Sequence, residues 1–205
     1  IGIYLQRGYP RISVMSIEDP STAPPPWGSF LSELDTLIEG TVELHCLGGF
    51  VLTAVHGVPR VTQDIDFIEL IPRSYSATFQ TLAGLGSLLA KKHKVYCQDA
   101  SVAQYPDSYA DRLTEMFPGA FRKLRLRAME VHDVILAKLA RNKGVDREDV
   151  RFLALAGRLN PEILRHRYIH ELRPYLIGRI ESHDLTLELW LEEFFGKTGK
   201  EPHPG

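Results

Sequence analysis

The sequence predicts a mixed α/β fold that ends in a helical C-terminal part. Segments with strand character, either alternating or apolar after turn residues, occur between residues 42 and 128. Segments with apolar residues at helical spacing lie between these strands, and the pattern from residue 131 onward is largely helical. A chain of 205 residues is long enough for a small α/β core with a helical appendage.

The composition is that of a soluble globular protein, with 44% hydrophobic and 24% charged residues. The formal net charge of −2 gives no bulk attraction to nucleic acid, so an RNA partner would have to use a local basic patch. Cys46 and Cys97 have no metal-ligand spacing. No membrane span or signal peptide is visible, and we therefore expect a cytoplasmic protein with no membrane partner.

The two ends of the chain are predicted to be irregular. Residues 1–28 form the predicted disordered leader, in which Met15 could be a natural start and residues 1–14 an upstream remnant. Residues 19–26 are too rich in proline for a helix or a strand, although they could serve as a proline-rich ligand. Residues 197–205 are predicted to be a flexible tail.

The first regular elements lead to a glycine turn. Residues 29–38 carry apolar residues at helical spacing, and residues 42–47 alternate as a strand. This strand ends at Gly48-Gly49, and a short helix is predicted over residues 50–55. Such a turn can present backbone N–H groups and the positive end of a helix dipole to an anion.

A second strand begins at Asp64, because strand-forming residues follow a set of turn residues. Residues two apart on a strand point to the same side, so Asp64 and Asp66 present two carboxylates on one face. A divalent cation such as Mg²⁺ would relieve their repulsion and would bind phosphate oxygens. Arg60 and Thr62 add a guanidinium and a hydroxyl upstream. Taken alone, an Asp-x-Asp pair is more often a solvated strand edge.

Further elements follow in order. A helix is predicted over residues 74–92, a strand over 94–99 and a strand over 121–128, whose basic face could be solvated or could bind triphosphate or RNA. A helix over residues 133–142 would place Lys138 and Arg141 on one face, and a new helix would start at Asp146. Residues 161–195 are predicted to be helical with an interruption near Pro174.

The combined order of Gly48-Gly49, a short helix, Gly57 and the segment from Arg60 to Asp66 resembles a known superfamily. It is similar to nucleotidyltransferases of the DNA polymerase β type, in particular the small bacterial and archaeal branch that includes the AbiEii and MenT toxins. That branch has a Gly-Gly turn followed by an Arg-x-Thr-x-Asp-Ile-Asp pattern, which residues 60–66 match.

A second motif of that branch is matched in part. Its Lys-Leu-x-x-Arg run and its downstream Asp-x-x-Asp correspond to Lys138-Leu139 with Arg141 one place early, and to Asp146 and Asp149. Val145 stands where the family commonly has a basic residue.

The resemblance covers residues 40 to 195 and implies a nucleotidyltransferase core over residues 29–130 with a helical region over 131–196. It implies transfer of a nucleoside monophosphate (NMP) from a nucleoside triphosphate (NTP) to a hydroxyl of a tRNA, another RNA or a protein, with Mg²⁺ or Mn²⁺ as cofactor. The residues it implies fall into three groups. The residues that would be catalytic are Asp64, Asp66, Lys138 and Asp149. Those that would bind the nucleotide are Gly48, Gly49, Arg60, Thr62 and Arg141. Those that would hold the metal are Asp64, Asp66 and Asp99.

Membership of that branch would also imply a toxin role and a cognate antitoxin as partner. The alternative is a non-catalytic module that binds a nucleotide or a partner on the same fold, as a toxin-like protein silenced by lost residues. A fold that binds no nucleotide is a third possibility.

Overall fold

The computed structural model describes residues 21–196, so the predictions for residues 1–20 and 197–205 lie outside the described residues. The predicted mixed α/β fold with a helical C-terminal part is confirmed. The strands are β1 (Val42–Cys46), β2 (Asp64–Ile71), β3 (Tyr96–Asp99), β4 (Thr114–Met116) and β5 (Leu124–Ala128). The helices are α1 (Trp27–Leu37), α2 (Gly48–Ala54), α3 (Ser76–Ala83), α4 (Leu88–His93), α5 (Val131–Leu136), α6 (Gly144–Leu155), α7 (Pro161–Arg167) and α8 (Ile180–Phe195).

The strands form one mixed sheet in the order β3-β2-β1-β5-β4. β1 is parallel to β5 and antiparallel to β2, whereas β2 and β3 are parallel. The C-terminal ends of β1 and β5 therefore lie at the same end of the sheet as the N-terminal ends of β2 and β3. The segments that follow Cys46 and Ala128 and the segment that precedes Asp64 come together at this end.

One face of the sheet is apolar. Val42, Leu44 and Cys46 are buried and stand opposite Leu124, Leu126 and Ala128 of β5, which are also buried. Phe79 of α3 packs edge-on against Phe67 of β2 at a centroid distance of 5.8 Å, and Trp27 of α1 packs against Phe50 of α2 at 5.2 Å. Burial of large apolar side chains is the main stabilising contribution to such a core. The helices on this face leave the opposite face for polar side chains.

The single helix predicted over residues 74–92 is wrong. A 3-10 turn at Arg73–Tyr75 precedes α3, and the chain then turns at residues 84–87 before α4. Gly86 has a φ of +88°, a conformation that glycine adopts without strain. Ser87 then caps α4, because its side chain accepts a hydrogen bond of 3.0 Å from the Ala90 N–H.

The helix predicted over residues 133–142 is wrong at both ends. α5 begins at Val131, where the Glu130 side chain caps it, and it ends at Leu136. The chain continues in turns, so Lys138 and Arg141 do not share a helix face. Their side chains instead bind Asp146 of α6, and this tertiary contact prevails over the local helix propensity of the segment.

The remaining differences are small. The sequence does not predict β4, because three residues carry too little alternation to be recognised as a strand. The predicted interruption near Pro174 is confirmed, since a 3-10 turn at Arg173–Tyr175 lies between the helical segment from Pro161 and α8. Among residues 21–196, no helix has the length and apolar character needed to cross a membrane. The predicted division into domains remains a prediction.

Candidate active site

Asp64 and Asp66 lie at the start of β2, on the face of the sheet away from the apolar core. Both are partly exposed, whereas Ile65 between them is completely buried. The strand geometry therefore places these two carboxylates on one face of the sheet, as the sequence predicts. Thr62, which is buried, donates a hydrogen bond from its hydroxyl to Asp64 Oδ1 and so fixes the orientation of that carboxylate.

The glycine turn lies directly against Asp66. The Leu47 N–H donates to the Asp66 carbonyl oxygen at 3.1 Å, and α2 begins at Gly48. Gly48 has a φ of +73°, and a Cβ at this position would overlap with Asp66 Oδ2. A glycine is therefore required here both by the backbone conformation and by the close approach of the carboxylate.

Arg60 lies across the start of α2. Its guanidinium covers Gly49 so closely that a Cβ on Gly49 would overlap with Arg60 Nη2. Nη1 is 3.4 Å from Asp149 Oδ2, and the buried Nε has no hydrogen-bond partner among residues 21–196. A guanidinium with an unused N–H can donate to a phosphate oxygen at this position.

A network of ion pairs beside the acid pair joins the buried residues Lys138, Asp146 and Asp149 to the exposed Arg141. Lys138 Nζ is 3.0 Å from Asp146 Oδ1 and 3.1 Å from Asp149 Oδ2, and Lys138 is only 4% exposed. Arg141 binds Asp146 with two nitrogens, of which Nε is 2.9 Å from Oδ2. Arg60 joins this network through Asp149, and the charges of Lys138, Arg141 and Arg60 all act on Asp66.

The electrostatics of Asp66 are dominated by its burial. Burial and, to a smaller extent, the neighbouring Asp64 carboxylate raise the pKa of Asp66 to about 6, although Lys138, Arg141 and Arg60 offset part of this effect. Asp66 makes no side-chain hydrogen bond or ion pair with the described part of the chain. A carboxylate that is ionised at neutral pH at such a cost is a typical functional-site feature.

Mg²⁺ fits this donor set. In proteins this ion is commonly held by one or two carboxylates and completes its octahedron with water and substrate phosphate oxygens. Asp64 and Asp66 supply two carboxylates that repel each other, and Asp66 has its oxygens free of protein partners in residues 21–196. No group of three or more His, Cys, Asp and Glu side chains in that range is arranged to hold a metal ion, so further ligands would have to come from phosphate and water.

The prediction that Asp99 completes the metal site is wrong. The register of β2 and β3 pairs Asp66 with Gln98 and Phe67 with Asp99. Paired residues on neighbouring strands point to the same face, so Asp99 lies on the face opposite to Asp64 and Asp66. It is exposed, and its Oδ1 accepts a hydrogen bond of 2.8 Å from the Ser101 N–H, which makes it the cap of the following turn.

The basic face predicted for residues 121–128 is largely occupied by protein contacts. Lys123 Nζ donates to the carbonyl oxygens of Thr36 and Ile38, and Arg127 Nε is 3.3 Å from Glu43 Oε2. Arg125 makes no ion pair within residues 21–196. This strand therefore does not offer a continuous basic patch for triphosphate or RNA.

The structure adds contacts that the sequence does not indicate. The local pattern around Asp146, taken alone, indicates an ordinary first-turn acid of α6, but this residue is fully buried and accepts hydrogen bonds from Lys138, Arg141 and the Lys143 N–H. Tyr96 stands opposite Asp64 in the register of β3. The strand register that brings Tyr96 and Gln98 beside the acid pair leaves no local signal in the sequence.

For the reaction that the resemblance implies, we expect Gly49→Ala to lower kcat/KM for NTP by about 10- to 100-fold, because the new methyl group displaces the Arg60 guanidinium. The melting temperature should change little, since the displaced group is the end of a flexible side chain. Steady-state kinetics and thermal unfolding measure the two quantities. Gly40→Ala is the matched control, because a Cβ there meets nothing within 4 Å. Equal kinetics for both variants would contradict the position of Arg60 in the site.

Comparison with known proteins identifies a family that the chain matches. Residues 31–188 match the model of a protein family described as "Nucleotidyltransferase of unknown function (DUF6036)". This range contains the glycine turn, the acid pair and the whole ion-pair network. No curated protein and no solved structure matches the chain.

Proposed function

The chain belongs to DUF6036, a family described as nucleotidyltransferases of unknown function, and from this premise we propose that it is a Mg²⁺-dependent enzyme that transfers an NMP from an NTP to an acceptor hydroxyl. The observation that carries the proposal is the Asp66 carboxylate, which makes no hydrogen bond or ion pair with residues 21–196, shares a face with Asp64 and lies against the glycine turn, while the charges of Lys138, Arg141 and Arg60 act on it. The resemblance to the AbiEii and MenT toxins supports the same reaction.

Each group has a role in this reaction. Asp64 and Asp66 would hold Mg²⁺ or Mn²⁺, which supplies charge neutralisation and alignment for the triphosphate. Arg60, Lys138 and Arg141 would stabilise negative charge on the phosphates, and Gly48 and Gly49 let these approach the backbone. Thr62 orients Asp64.

The acceptor hydroxyl gives up its proton to solvent water and its oxygen forms a bond to the α-phosphorus, while the bond from that phosphorus to the bridging oxygen breaks and pyrophosphate leaves. Positioning and charge stabilisation are the main requirements of this chemistry. Asp149 contacts both Lys138 and Arg60, so its role in the proposal is to hold these two cations toward the phosphates.

The second candidate is a non-catalytic module that binds a nucleotide or a partner. The observation that favours it is the β3 register, which places Gln98 beside Asp66 where enzymes of the polymerase β type usually carry a third carboxylate. We also propose, on the resemblance alone, that the enzyme acts on a tRNA, another RNA or a protein as the toxin of a toxin-antitoxin pair. Growth arrest on expression is the readout for that role.

The experiment incubates the purified protein with each α-labelled NTP and Mg²⁺, together with total cellular RNA or total protein. Mg²⁺-dependent transfer of label from one NTP to one acceptor class is the expected result, and a parallel reaction in chelator is the control. If folded protein binds NTP but transfers no label from any NTP, the non-catalytic module is the correct function. If it neither binds nor transfers, both proposals fail.

A further inference from the structure

Two histidines lie side by side in the helical C-terminal part. His166 stands in the last turn of α7, and His170 follows four residues later in a π-helical turn over Tyr168–Leu172. Both residues are exposed, and the centroids of their imidazole rings are 4.6 Å apart at an interplanar angle of 50°. Residues four apart on a helix share a face, so the two rings meet solvent together.

The two imidazoles contact each other and have no further polar partner. No hydrogen bond or ion pair joins His166 or His170 to the rest of residues 21–196. By contrast, His45, His93 and His132 each bind a carboxylate. The ring nitrogens of the exposed pair are therefore available to a ligand from solution.

The arginines on either side of His166 do not prevent a cation from binding there. Arg165 Nη2 is 3.2 Å from Glu188 Oε2, and Arg167 Nη1 is 2.9 Å from Asp133 Oδ1. Each guanidinium is thus neutralised by a carboxylate. A cation beside the imidazoles meets little net repulsion from these neighbours.

The spacing of the two rings fits one transition-metal ion. Two histidines at positions i and i+4 on one helix face are an arrangement that binds Zn²⁺ in proteins. Zn–N bonds of about 2.0–2.1 Å in a tetrahedral arrangement place two imidazole centroids roughly 5 Å apart. The 4.6 Å separation of His166 and His170 is close to this value. Arg167 stands where zinc proteases of this spacing have a glutamate as general base, so the pair does not form a hydrolytic site.

The π-helical turn is a second observation at the same place. The Arg173 N–H donates to the Tyr168 carbonyl oxygen, five residues back, and closes this turn. π-helical turns are rare and occur frequently at functional sites. Tyr168 and Leu172 are buried, so packing fixes the turn and with it the backbone position of His170.

We propose that His166 and His170 bind one Zn²⁺ ion through one nitrogen of each ring. No third His, Cys, Asp or Glu of residues 21–196 is arranged to join them, so water completes the coordination. A structural zinc centre has four protein ligands, whereas this open pair binds an exchangeable ion. Imidazole selects Zn²⁺ and carboxylate selects Mg²⁺, so this site is independent of Asp64, Asp66 and the proposed function.

The test titrates Zn²⁺ into the full chain by calorimetry in excess Mg²⁺, which competes for carboxylate sites but not for imidazole. We expect an ion bound per chain whose affinity falls by more than about 10- to 100-fold in His166→Gln and in His170→Gln. Loss of a hydrogen bond to a metal ligand already costs that factor, and loss of the ligand itself costs more. Zn²⁺ should also raise the melting temperature of the wild type but not of either variant.

His93→Gln is the matched control, because it removes an imidazole that binds Glu33 and leaves the exposed pair intact. Both variants of the pair should melt like the wild type in chelator, since neither side chain has a polar partner to lose. Equal Zn²⁺ affinity of the control and the two variants overturns the inference, as does an absence of Zn²⁺ binding by the wild type. Loss of affinity in only one of the two variants overturns the two-ligand site.

Discussion

Asp66→Asn is expected to reduce NMP transfer by about 10³-fold or more, the largest catalytic effect of any single substitution in the chain. The amide removes a negatively charged oxygen ligand from the proposed metal site and leaves the side-chain shape nearly unchanged. Transfer of α-labelled NTP at saturating Mg²⁺ measures the effect. The matched control is Glu69→Gln, which removes another carboxylate of β2, one that pairs with Arg73. Transfer by Asp66→Asn at the rate of this control would contradict the assignment.

The same substitution is expected to stabilise the metal-free protein at neutral pH. Burial and the Asp64 carboxylate raise the pKa of Asp66 to about 6 in the folded state, whereas an unfolded aspartate has a pKa of about 3.9. Between these values the folded state binds a proton that the unfolded state does not, so the free energy of unfolding falls as the pH rises from about 4 to about 6. A neutral asparagine side chain in place of this carboxylate carries no such penalty.

We therefore expect Asp66→Asn to be more stable than the wild type by about 1–3 kcal/mol in chelator at pH 7.5, with the difference shrinking toward pH 4. Added Mg²⁺ should raise the melting temperature of the wild type alone. Thermal unfolding in chelator and in Mg²⁺ checks both statements. Equal melting temperatures of the wild type and Asp66→Asn in chelator at pH 7.5 would show that ionisation of the Asp66 carboxylate does not lower the free energy of unfolding.

Local patterns predict the elements that bring the site together. The period of two in β2 indicates the common face of Asp64 and Asp66, and the glycine pair marks the turn that lies against Asp66. Such features depend on a few consecutive residues, so they are visible without tertiary structure. The resemblance adds Lys138 and Asp149, which the structure places 3.1 Å apart beside the acid pair. The catalytic roles of these residues remain predictions.

The features that sequence reasoning missed depend on contacts between distant segments. The sequence favours Asp99 because it ends a strand, but the register with β2 decides its face, and no property of residues 94–99 encodes that register. The helix predicted over 133–142 ends early because Lys138 and Arg141 bind Asp146 of α6. In the same way, the ion pair between Lys92 of α4 and Glu33 of α1 can be recognised only once the two helices are placed in the fold.

Asp146→Ala is expected to have the largest effect on stability, about 3–5 kcal/mol, because it removes a completely buried carboxylate and leaves the buried Lys138 ammonium with Asp149 alone. Asp146 is completely buried and binds Lys138, Arg141 and the Lys143 N–H. Burial alone would raise the pKa of Asp146, but the hydrogen bonds and charges of Arg141 and Lys138 lower it to about 2. Its stabilising contribution is therefore complete above about pH 4 and is lost as the pH falls toward 2.

Thermal unfolding should show a melting temperature lower by about 6–20 °C for Asp146→Ala at pH 7, with Asp111→Asn, an exposed acid, as the control. Asp149→Asn should behave differently, because its amide oxygen can still accept from Lys138 and Arg60 while the charge that positions them is lost. We expect it to keep most of the stability and to lose about 10²- to 10³-fold in transfer. Equal destabilisation by both variants would mean that Asp149, like Asp146, supports the fold and does not orient the cations of the site.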